Sequence, residues 1–277
     1  MSGTLFDHEE PKMPIGTLAQ WFGSNRMLAP VVGKMLGTLD WCGVVFAGGM
    51  SEVPYIQARE VLVNDIHLDI INLARVIAGG DRQWLAEQAD AKGFHPVELY
   101  DAQQYCKAAT PRDRERALQY FVATWMGRAT AAGTDKEFDG NLAVRFTASG
   151  GGSNVRYRSA IESLAAWEQV FKRCEFSTLD FRVFLEKCHD RKGHAIYSDS
   201  PFPDTDKYKH RFAEKDHHDL AAMLGRFKIA RVVARFYNHP LIRELYPEPQ
   251  WKWHDIAGGR TQANKTAPEV LLVNQED

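Results

Sequence analysis

The sequence predicts an α/β protein whose core is a doubly wound, mostly parallel sheet. Short apolar or β-branched runs recur along the chain and alternate with segments of helical periodicity. Two of these runs end in glycine or in Asn-Asp, which is typical of the turn where a strand meets a bound ligand. Strands that alternate with helices pair in parallel through helical crossovers, so we expect helices on both faces of the sheet.

The N-terminal part supplies two of the predicted strands. The run GVVF at 43–46 ends in AGG at 47–49, and REVLVNDIH at 59–67 repeats this design with Asp65 near its end. The sequence SEVPYIQA between them leaves room for only a short helix. Apolar residues at helical spacing in LDIINLARVI, 68–77, predict a helix after the second strand.

Further strand-like pieces lie in the C-terminal part of the chain. They are RCEFSTLDFRVFLEKC, HAIYSDSPF, RVVARFYN and EVLLVNQ, and the helical segment EKDHHDLAAMLGRF lies between the second and the third. Residues 78–148 are mostly helical and polar, and the Gly/Ser-rich loop FTASGGGSNVRYRS follows at 146–159. We therefore predict one domain formed by residues 14–77 and 169–277, with a mainly helical insertion at 78–168.

Composition excludes some classes of function. The chain has 277 residues, 44% hydrophobic and 25% charged, which is typical of a globular protein with a large core. The net charge of −2 does not by itself indicate nucleic-acid binding. No apolar run approaches the roughly 18 residues needed to cross a membrane, and the N-terminus lacks a signal-peptide pattern. The widely spaced cysteines favour reduced thiols in the cytoplasm over disulfides or a zinc site.

Two features of the first half suggest a ligand at the carboxyl ends of the strands. Gly48 and Gly49 follow Phe46 in the first turn, where glycine lets the backbone approach a ligand, although an ordinary turn is the alternative. The turn lacks G-x-G-x-x-G, which argues against a dinucleotide with a pyrophosphate. Asp65 could accept two hydrogen bonds from a ribose diol, or cap the helix over 66–77.

The segment Asp199-Ser200-Pro201-Phe202 ends an apolar strand and suits one chemical task. An exocyclic amino group on a heteroaromatic base is a poor nucleophile, because its lone pair is delocalised into the ring. The Asp199 carboxylate and the Ser200 carbonyl can accept its two N–H bonds and stabilise the positive charge that develops during attack on a methyl donor. Phe202 would stack on the base. The alternatives are a helix cap or surface turn for Asp199 and simple packing for the Pro-Phe pair.

The loop before residue 160 is the candidate for nucleic-acid contact. Its glycines let the backbone approach phosphates, while Arg156 and Arg158 could bind phosphates or guanine edges and Tyr157 could stack or wedge. A solvated loop is the alternative.

The order of these motifs resembles the Dam-like class of adenine-specific DNA methyltransferases, which use S-adenosylmethionine. In that family a Trp/Tyr-x-Gly-Gly-Lys segment, a Phe-x-Gly-Gly turn and an Asn-Asp strand end precede a recognition insertion and a catalytic Asp-Pro-Pro-Tyr. The corresponding segments here are WFGSNRMLAP, FAGGMSEV, LVNDIHLDIINL and IYSDSPFPDTDKYKHRF, followed by the C-terminal VVARFYNHPLIRELY and PEVLLVN. Two departures are Gly23-Ser24-Asn25 for Gly-Gly-Lys and Ser200 for the first proline of the catalytic motif.

The resemblance implies a Rossmann-like methyltransferase fold and methyl transfer to the N6 amino group of adenine in a specific sequence of double-stranded DNA, without a metal. It implies cofactor contacts from Trp21, Gly23, Phe46, Gly48, Gly49, Asp65, Asp180 and Phe181. It places catalysis on Asp199, Ser200, Pro201 and Phe202. DNA contacts are expected from Arg156, Tyr157, Arg158 and Tyr208, the last on a flexible stretch after the catalytic motif.

Two alternatives to this function remain open at this point. Asn25 and Ser200 would also fit an inactive relative that only binds the cofactor or DNA. The same amino-group chemistry could act on RNA or on cytosine, because the catalytic motif does not by itself choose the base. We expect a cytoplasmic monomer or weak dimer with no membrane partner.

Overall fold

The computed structural model describes residues 16–24, 26–127, 132–144, 152–205, 207–256 and 268–274. Within these ranges one sheet has the strand order β3-β2-β1-β4-β5-β7-β6. The strands are β1 (Thr38–Val44), β2 (Gln57–Asn64), β3 (Cys174–Ser177), β4 (His194–Ser198), β5 (Arg231–Tyr237), β6 (Lys252–Asp255) and β7 (Glu269–Val273). The first five strands in chain order are parallel, and β7 runs antiparallel to both β5 and β6. The predicted doubly wound, mostly parallel sheet is confirmed.

Helices connect these strands as the sequence pattern predicted. In the described ranges they are α1 (Ala29–Leu36), α2 (Leu68–Val76), α3 (Arg82–Ala91), α4 (Pro96–Lys107), α5 (Arg114–Met126), α6 (Ser153–Phe171), α7 (Phe181–Lys187), α8 (Glu214–Leu224) and α9 (Pro240–Leu245). A short 3₁₀ turn, Val53–Tyr55, fills the small space before β2, and a π turn at Ile77–Asp81 joins α2 to α3. No helix among the described residues is long and apolar enough to cross a membrane.

The two faces of the sheet carry separate hydrophobic clusters, because successive side chains of a strand point to opposite faces. On β4, Ala195 and Tyr197 belong to the cluster formed with α1–α6, while Ile196 belongs to the cluster formed with α7–α9. On β5, Val233 belongs to the cluster formed with α1–α6, and Val232 belongs to the cluster formed with α7–α9. Both faces are therefore covered, which explains why the central strands read as continuous apolar runs.

The helical segment at 78–168 packs directly on the sheet. Leu85 of α3, Phe121 of α5 and Trp167 of α6 share one cluster with Val44 of β1 and Val63 of β2. The segment therefore contributes to the main core, and its predicted limits as an insertion stay a prediction.

A buried ion pair joins this segment to α2. The Arg116 guanidinium of α5 donates to both carboxylate oxygens of Asp69, with N–O distances of 2.6 and 2.9 Å. Its other hydrogen bonds go to the carbonyls of Cys106 and Ala108 and to the Thr110 hydroxyl. A planar guanidinium can satisfy this many acceptors at once, which makes its burial tolerable.

Two local predictions from the sequence were wrong. The piece RCEFSTLDFRVFLEKC is a strand only at its beginning, because Asp180 caps a helix by accepting a hydrogen bond from the Arg182 amide at 2.9 Å. The loop predicted at 146–159 becomes helix α6 from Ser153 onward, and its residues up to 151 lie outside the described part.

Candidate active site

A cleft opens at the carboxyl ends of β1, β2 and β4, where open α/β sheets bind their ligands. Its volume of about 660 Å³ includes space that is open to solvent. The walls come from residues 21–24 before α1, 46–49 after β1 and 65–67 after β2, together with Asp199 and Pro201 after β4. Of the predicted site residues, the cleft is bordered by Trp21, Gly23, Phe46, Gly48, Gly49, Asp65, Asp199, Pro201 and Tyr208.

The glycine turn after β1 is required by the close approach of Trp21. Gly48 has a φ of +47°, and a Cβ built on it would lie 2.8 Å from the Trp21 indole nitrogen. A Cβ on Gly49 would lie 2.5 Å from the Thr17 hydroxyl oxygen. Side chains at these positions would therefore displace the segment that closes one side of the cleft.

Asp65 lies between this turn and the start of α2. Its Oδ2 accepts a hydrogen bond from the Gly48 amide, and its Oδ1 accepts one from the His67 amide, both at 2.8 Å. Burial raises the pKa of Asp65, and the two amide donors oppose that shift. Each carboxylate oxygen has a second lone pair, so a ligand hydroxyl in the cleft could be held as well. His67, not Asp65, occupies the N-cap position of α2.

Asp199 is fixed by an arginine that the sequence analysis did not select. Nη1 of Arg235 on β5 donates to Asp199 Oδ2 at 2.8 Å and to the Gly23 carbonyl at 3.1 Å, while Nη2 pairs with Glu269 at 3.0 Å. Burial raises the pKa of Asp199, and the charge of Arg235 opposes this. Asp199 Oδ1 has no hydrogen bond to any residue in the described ranges, and the carboxylate borders the cleft.

The predicted stacking role of Phe202 does not fit its position. Its ring is 7% exposed and packs on Tyr237 with ring centroids 4.3 Å apart, inside the cluster formed with α7–α9. The Phe202 ring therefore packs against β5 within this hydrophobic cluster, whereas Pro201 borders the cleft. Ser200, which precedes Pro201, is buried.

Asp180 and Phe181 lie beside a second hollow of about 490 Å³. This hollow shares Phe46 and Pro201 with the cleft, so the two spaces adjoin. The Phe181 ring lies 5.7 Å from that of Phe46, measured between centroids.

The predicted role of Tyr157 in DNA contact is wrong. Tyr157 is 2% exposed, its ring packs against Phe121, and its hydroxyl donates to the Ala89 carbonyl at 2.8 Å. A ring held in the core of α3, α5 and α6 cannot stack on a base. Arg156 donates to the Gln20 side chain at 2.7 Å, next to the cleft segment, and Arg158 forms an exposed pair with Asp90.

The buried carboxylate of Glu137 holds residues 208–210, which follow Phe202 in the chain, beside the cleft. Its Oε2 bonds to the His67 ring nitrogen at 2.9 Å and pairs with the Lys209 ammonium at 3.3 Å. Its Oε1 accepts the Tyr120 hydroxyl at 3.0 Å. Tyr208 forms an isolated β-bridge with Thr134, so this stretch is held by specific contacts.

Comparison with known proteins agrees with this arrangement. The model of a family described as D12 class N6 adenine-specific DNA methyltransferase matches residues 21–262. A comparison with curated proteins gave no match. One solved structure among the matches, an rRNA methyltransferase aviRa from Streptomyces viridochromogenes, has 10% identity and a TM-score of 0.42, with 98% of this chain and 90% of that chain covered.

The described part of the chain forms an α/β fold with a cleft at the carboxyl edge of its parallel strands. The family match extends over most of the chain, so the protein belongs to the D12 class N6 adenine-specific DNA methyltransferases. The recognition of a Dam-like adenine methyltransferase is thereby confirmed, and the protein is an enzyme that methylates adenine in DNA. Membership of this family implies that S-adenosylmethionine is the methyl donor.

Proposed function

We propose that this protein methylates N6 of an adenine flipped out of double-stranded DNA at a specific sequence, and that it acts as a monomer or weak dimer. The observation that carries the proposal is the convergence of Asp65 and Asp199, from the ends of β2 and β4, on one cleft with the glycine turn of β1. A single cleft of this size can hold a nucleoside donor beside an extruded base.

The cleft residues fit S-adenosylmethionine. Gly48 and Gly49 border the cleft, and Asp65 offers carboxylate lone pairs to a ribose diol. The adjoining hollow with Asp180 and Phe181 suits the adenine ring of the donor, which would lie against the aromatic face. When bound, this cofactor supplies an electrophilic methyl group.

The catalytic residues act on the amino group of the target base. Asp199 Oδ1 and the Ser200 carbonyl accept its two N–H bonds, and both acceptors gain strength as positive charge develops on the nitrogen. Arg235 holds the Asp199 carboxylate in one orientation, and its charge favours the ionised form against the effect of burial on the pKa of Asp199. The aromatic walls next to it, Phe22 and Tyr208, take the stacking role that Phe202 cannot fill.

DNA binding is expected at the rim of this cleft. Arg156 and Arg158 lie on the first turns of α6, and Lys207 and Lys209 flank Tyr208. Lysine and arginine here would bind phosphates on both sides of the flipped nucleotide. Extrusion costs a few kcal/mol, so contacts of this kind are needed to hold the base outside the helix.

The two departures from the family pattern are compatible with activity. Ser24, in place of the second glycine, hydrogen-bonds Ser51 beside the glycine turn at an Oγ–Oγ distance of 2.7 Å. Asn25 lies outside the described residues. Ser200 replaces a proline that would act through its carbonyl, and serine keeps that carbonyl.

Incubation with methyl-labelled S-adenosylmethionine and mixed-sequence duplex DNA, followed by digestion and mass analysis, tests the proposal. N6-methyladenine is the expected product. Label confined to cytosine, or found only with RNA, would contradict the choice of base or nucleic acid, and complete absence of label under all conditions would support a binding-only protein.

We expect Asp65→Ala to weaken the affinity for S-adenosylmethionine about 10- to 100-fold, because hydrogen bonds to a charged group contribute about 1.5–3 kcal/mol. The rate of methyl transfer at saturating cofactor should change much less. Isothermal titration calorimetry measures the affinity, and Asp180→Ala in the adjoining hollow serves as the comparison. An unchanged affinity in Asp65→Ala would remove this residue from the cofactor site.

A further inference from the structure

A second carboxyl group lies in the cleft with Asp199. Glu52 follows the glycine turn directly, immediately before the 3₁₀ turn Val53–Tyr55. The residue is 6% exposed and borders the same cleft as Asp199 and Gly49. A buried glutamate at a ligand site is uncommon unless a cation or a function retains it.

Arg235, the cation near Glu52, does not form an ion pair with it. Arg235 forms its ion pairs with Asp199 at 2.8 Å and with Glu269 at 3.0 Å. In the part of the chain that the structure describes, Glu52 has no ion-pair partner. The groups that face it are Asp199 at the end of β4, Tyr197 within β4 and Arg235 on β5.

These neighbours set the ionisation of Glu52. Burial, followed by the repulsion of Asp199, raises the pKa of Glu52 to about 7, against the opposing charge of Arg235. Glu52 can therefore both accept and release a proton near neutral pH, which is the property required of a general base.

We propose that Glu52 is a catalytic residue that accepts the proton lost by the adenine amino nitrogen. This inference rests on the proposed function. As the C–N bond forms, the nitrogen gains positive charge and carries one proton more than the neutral product, so the loss of this proton accompanies methyl transfer. The N–H bond that was hydrogen-bonded to the neutral Ser200 carbonyl breaks, its electron pair stays on nitrogen, and the proton forms an O–H bond with the Glu52 carboxylate. The products are neutral N6-methyladenine and a neutral glutamic acid, which later loses its proton to water.

The other groups in the cleft are poorer acceptors. Asp199 is bound to Arg235, and protonation would leave that buried guanidinium with one anion fewer. Burial also keeps the Tyr197 hydroxyl protonated, because it raises the pKa of this group well above its ordinary value. Glu269 pairs with Nη2 of Arg235, whereas Asp199 pairs with Nη1.

The pH dependence of single-turnover methyl transfer is the first test. In the wild-type protein the rate should rise about tenfold per pH unit below pH 7 and level off above it, because only ionised Glu52 accepts a proton. Glu52→Gln should lower the rate on the order of 10²-fold and flatten the profile. Glu52→Asp should restore part of the rate together with the pH dependence, and Glu60→Gln, an exposed glutamate on β2, should behave as wild type.

Proton release on cofactor binding is the second test and needs no turnover. S-adenosylmethionine carries a sulfonium cation and S-adenosylhomocysteine does not. Titration at pH 7 in buffers of different ionisation enthalpy should show about half a proton released with the first and much less with the second, since a group at its pKa is half protonated. Glu52→Gln should abolish the difference.

Three outcomes are decisive. A wild-type rate and pH profile in Glu52→Gln would overturn the proposal for this residue and leave the methyltransferase assignment intact. Equal proton release with the two ligands in the wild-type protein would also overturn it, even if the variant failed to fold. Absence of N6-methyladenine with the wild-type protein would instead contradict the proposed function, and the inference with it.

Discussion

We expect Asp199→Asn to lower the single-turnover rate of methyl transfer on the order of 10³-fold and to leave the affinity for S-adenosylmethionine close to that of the wild-type protein. The effect is expected because the Asp199 carboxylate stabilises charge that exists only in the transition state, and removing such a group typically costs 10²–10³-fold. In the proposed site other residues would hold the cofactor, above all Asp65 and the glycine turn. Rapid-quench assays with saturating cofactor measure the rate, and calorimetry measures the affinity.

Asparagine is a better replacement than alanine for this experiment. Both substitutions remove one of the two carboxylates that pair with the buried Arg235, but the asparagine side-chain oxygen can still accept a hydrogen bond from the guanidinium, whereas alanine would leave that donor without an acceptor. Asp204→Asn provides a matched control in the same loop. Asp204 is exposed and has a φ of +59°, a conformation that asparagine adopts readily. Near-normal transfer by Asp199→Asn would show that the carboxylate does not act on the amino group.

We expect Arg235→Met to lower the free energy of unfolding by about 3–5 kcal/mol, because breaking a buried ion pair leaves its partners as uncompensated charges. Arg235 is almost completely buried and binds Asp199, Glu269 and the Gly23 carbonyl together. The substitution therefore loosens the catalytic loop, β7 and the segment before α1 at once. Urea denaturation measures the stability.

The matched control is Arg158→Met, which removes an arginine from an exposed pair with Asp90. Exposed pairs contribute up to about 1 kcal/mol, so a small effect is expected there. Equal effects of the two substitutions would mean that Arg235 does not hold the site together.

The sequence was sufficient to predict the sheet and much of the cleft, because both depend on local patterns. Apolar runs that end in glycine or aspartate identified β1 and β2, and the order of motifs placed Asp199 at the end of β4. The carboxyl ends of parallel strands meet at one edge, so the positions of Gly48, Asp65 and Asp199 at strand ends were enough to predict that they lie together.

The partners of these residues depend on long-range packing that no local pattern encodes. Arg235 lies between apolar residues inside the strand RVVARFY, and a cation at such an interior position is a signal in the sequence. Its contacts with Gly23 and Asp199 nevertheless lie 212 and 36 residues away along the chain. For Glu52, the only signal in the sequence was its position shortly after the glycine turn.

The errors in the sequence analysis also have physical causes. The glycines before residue 153 suggested that the loop would continue, but the spacing of Tyr157, Ala160 and Leu164 places them on one buried face of α6. Phe202 was assigned to the base because it follows Asp199 closely. The chain turns at Pro201, so Pro201 borders the cleft and the Phe202 ring packs in the hydrophobic cluster.

The central claim is that the Asp199 carboxylate binds the amino group of a flipped adenine in the cleft lined by Asp65 and the glycine turn. A crystal structure of the wild-type protein with S-adenosylhomocysteine and duplex DNA containing its methylation site measures this directly. The account predicts hydrogen-bond distances, about 2.7–3.2 Å, from adenine N6 to Asp199 Oδ1 and to the Ser200 carbonyl. An extruded adenine bound elsewhere, or an Asp199 carboxylate turned away from N6, would contradict it.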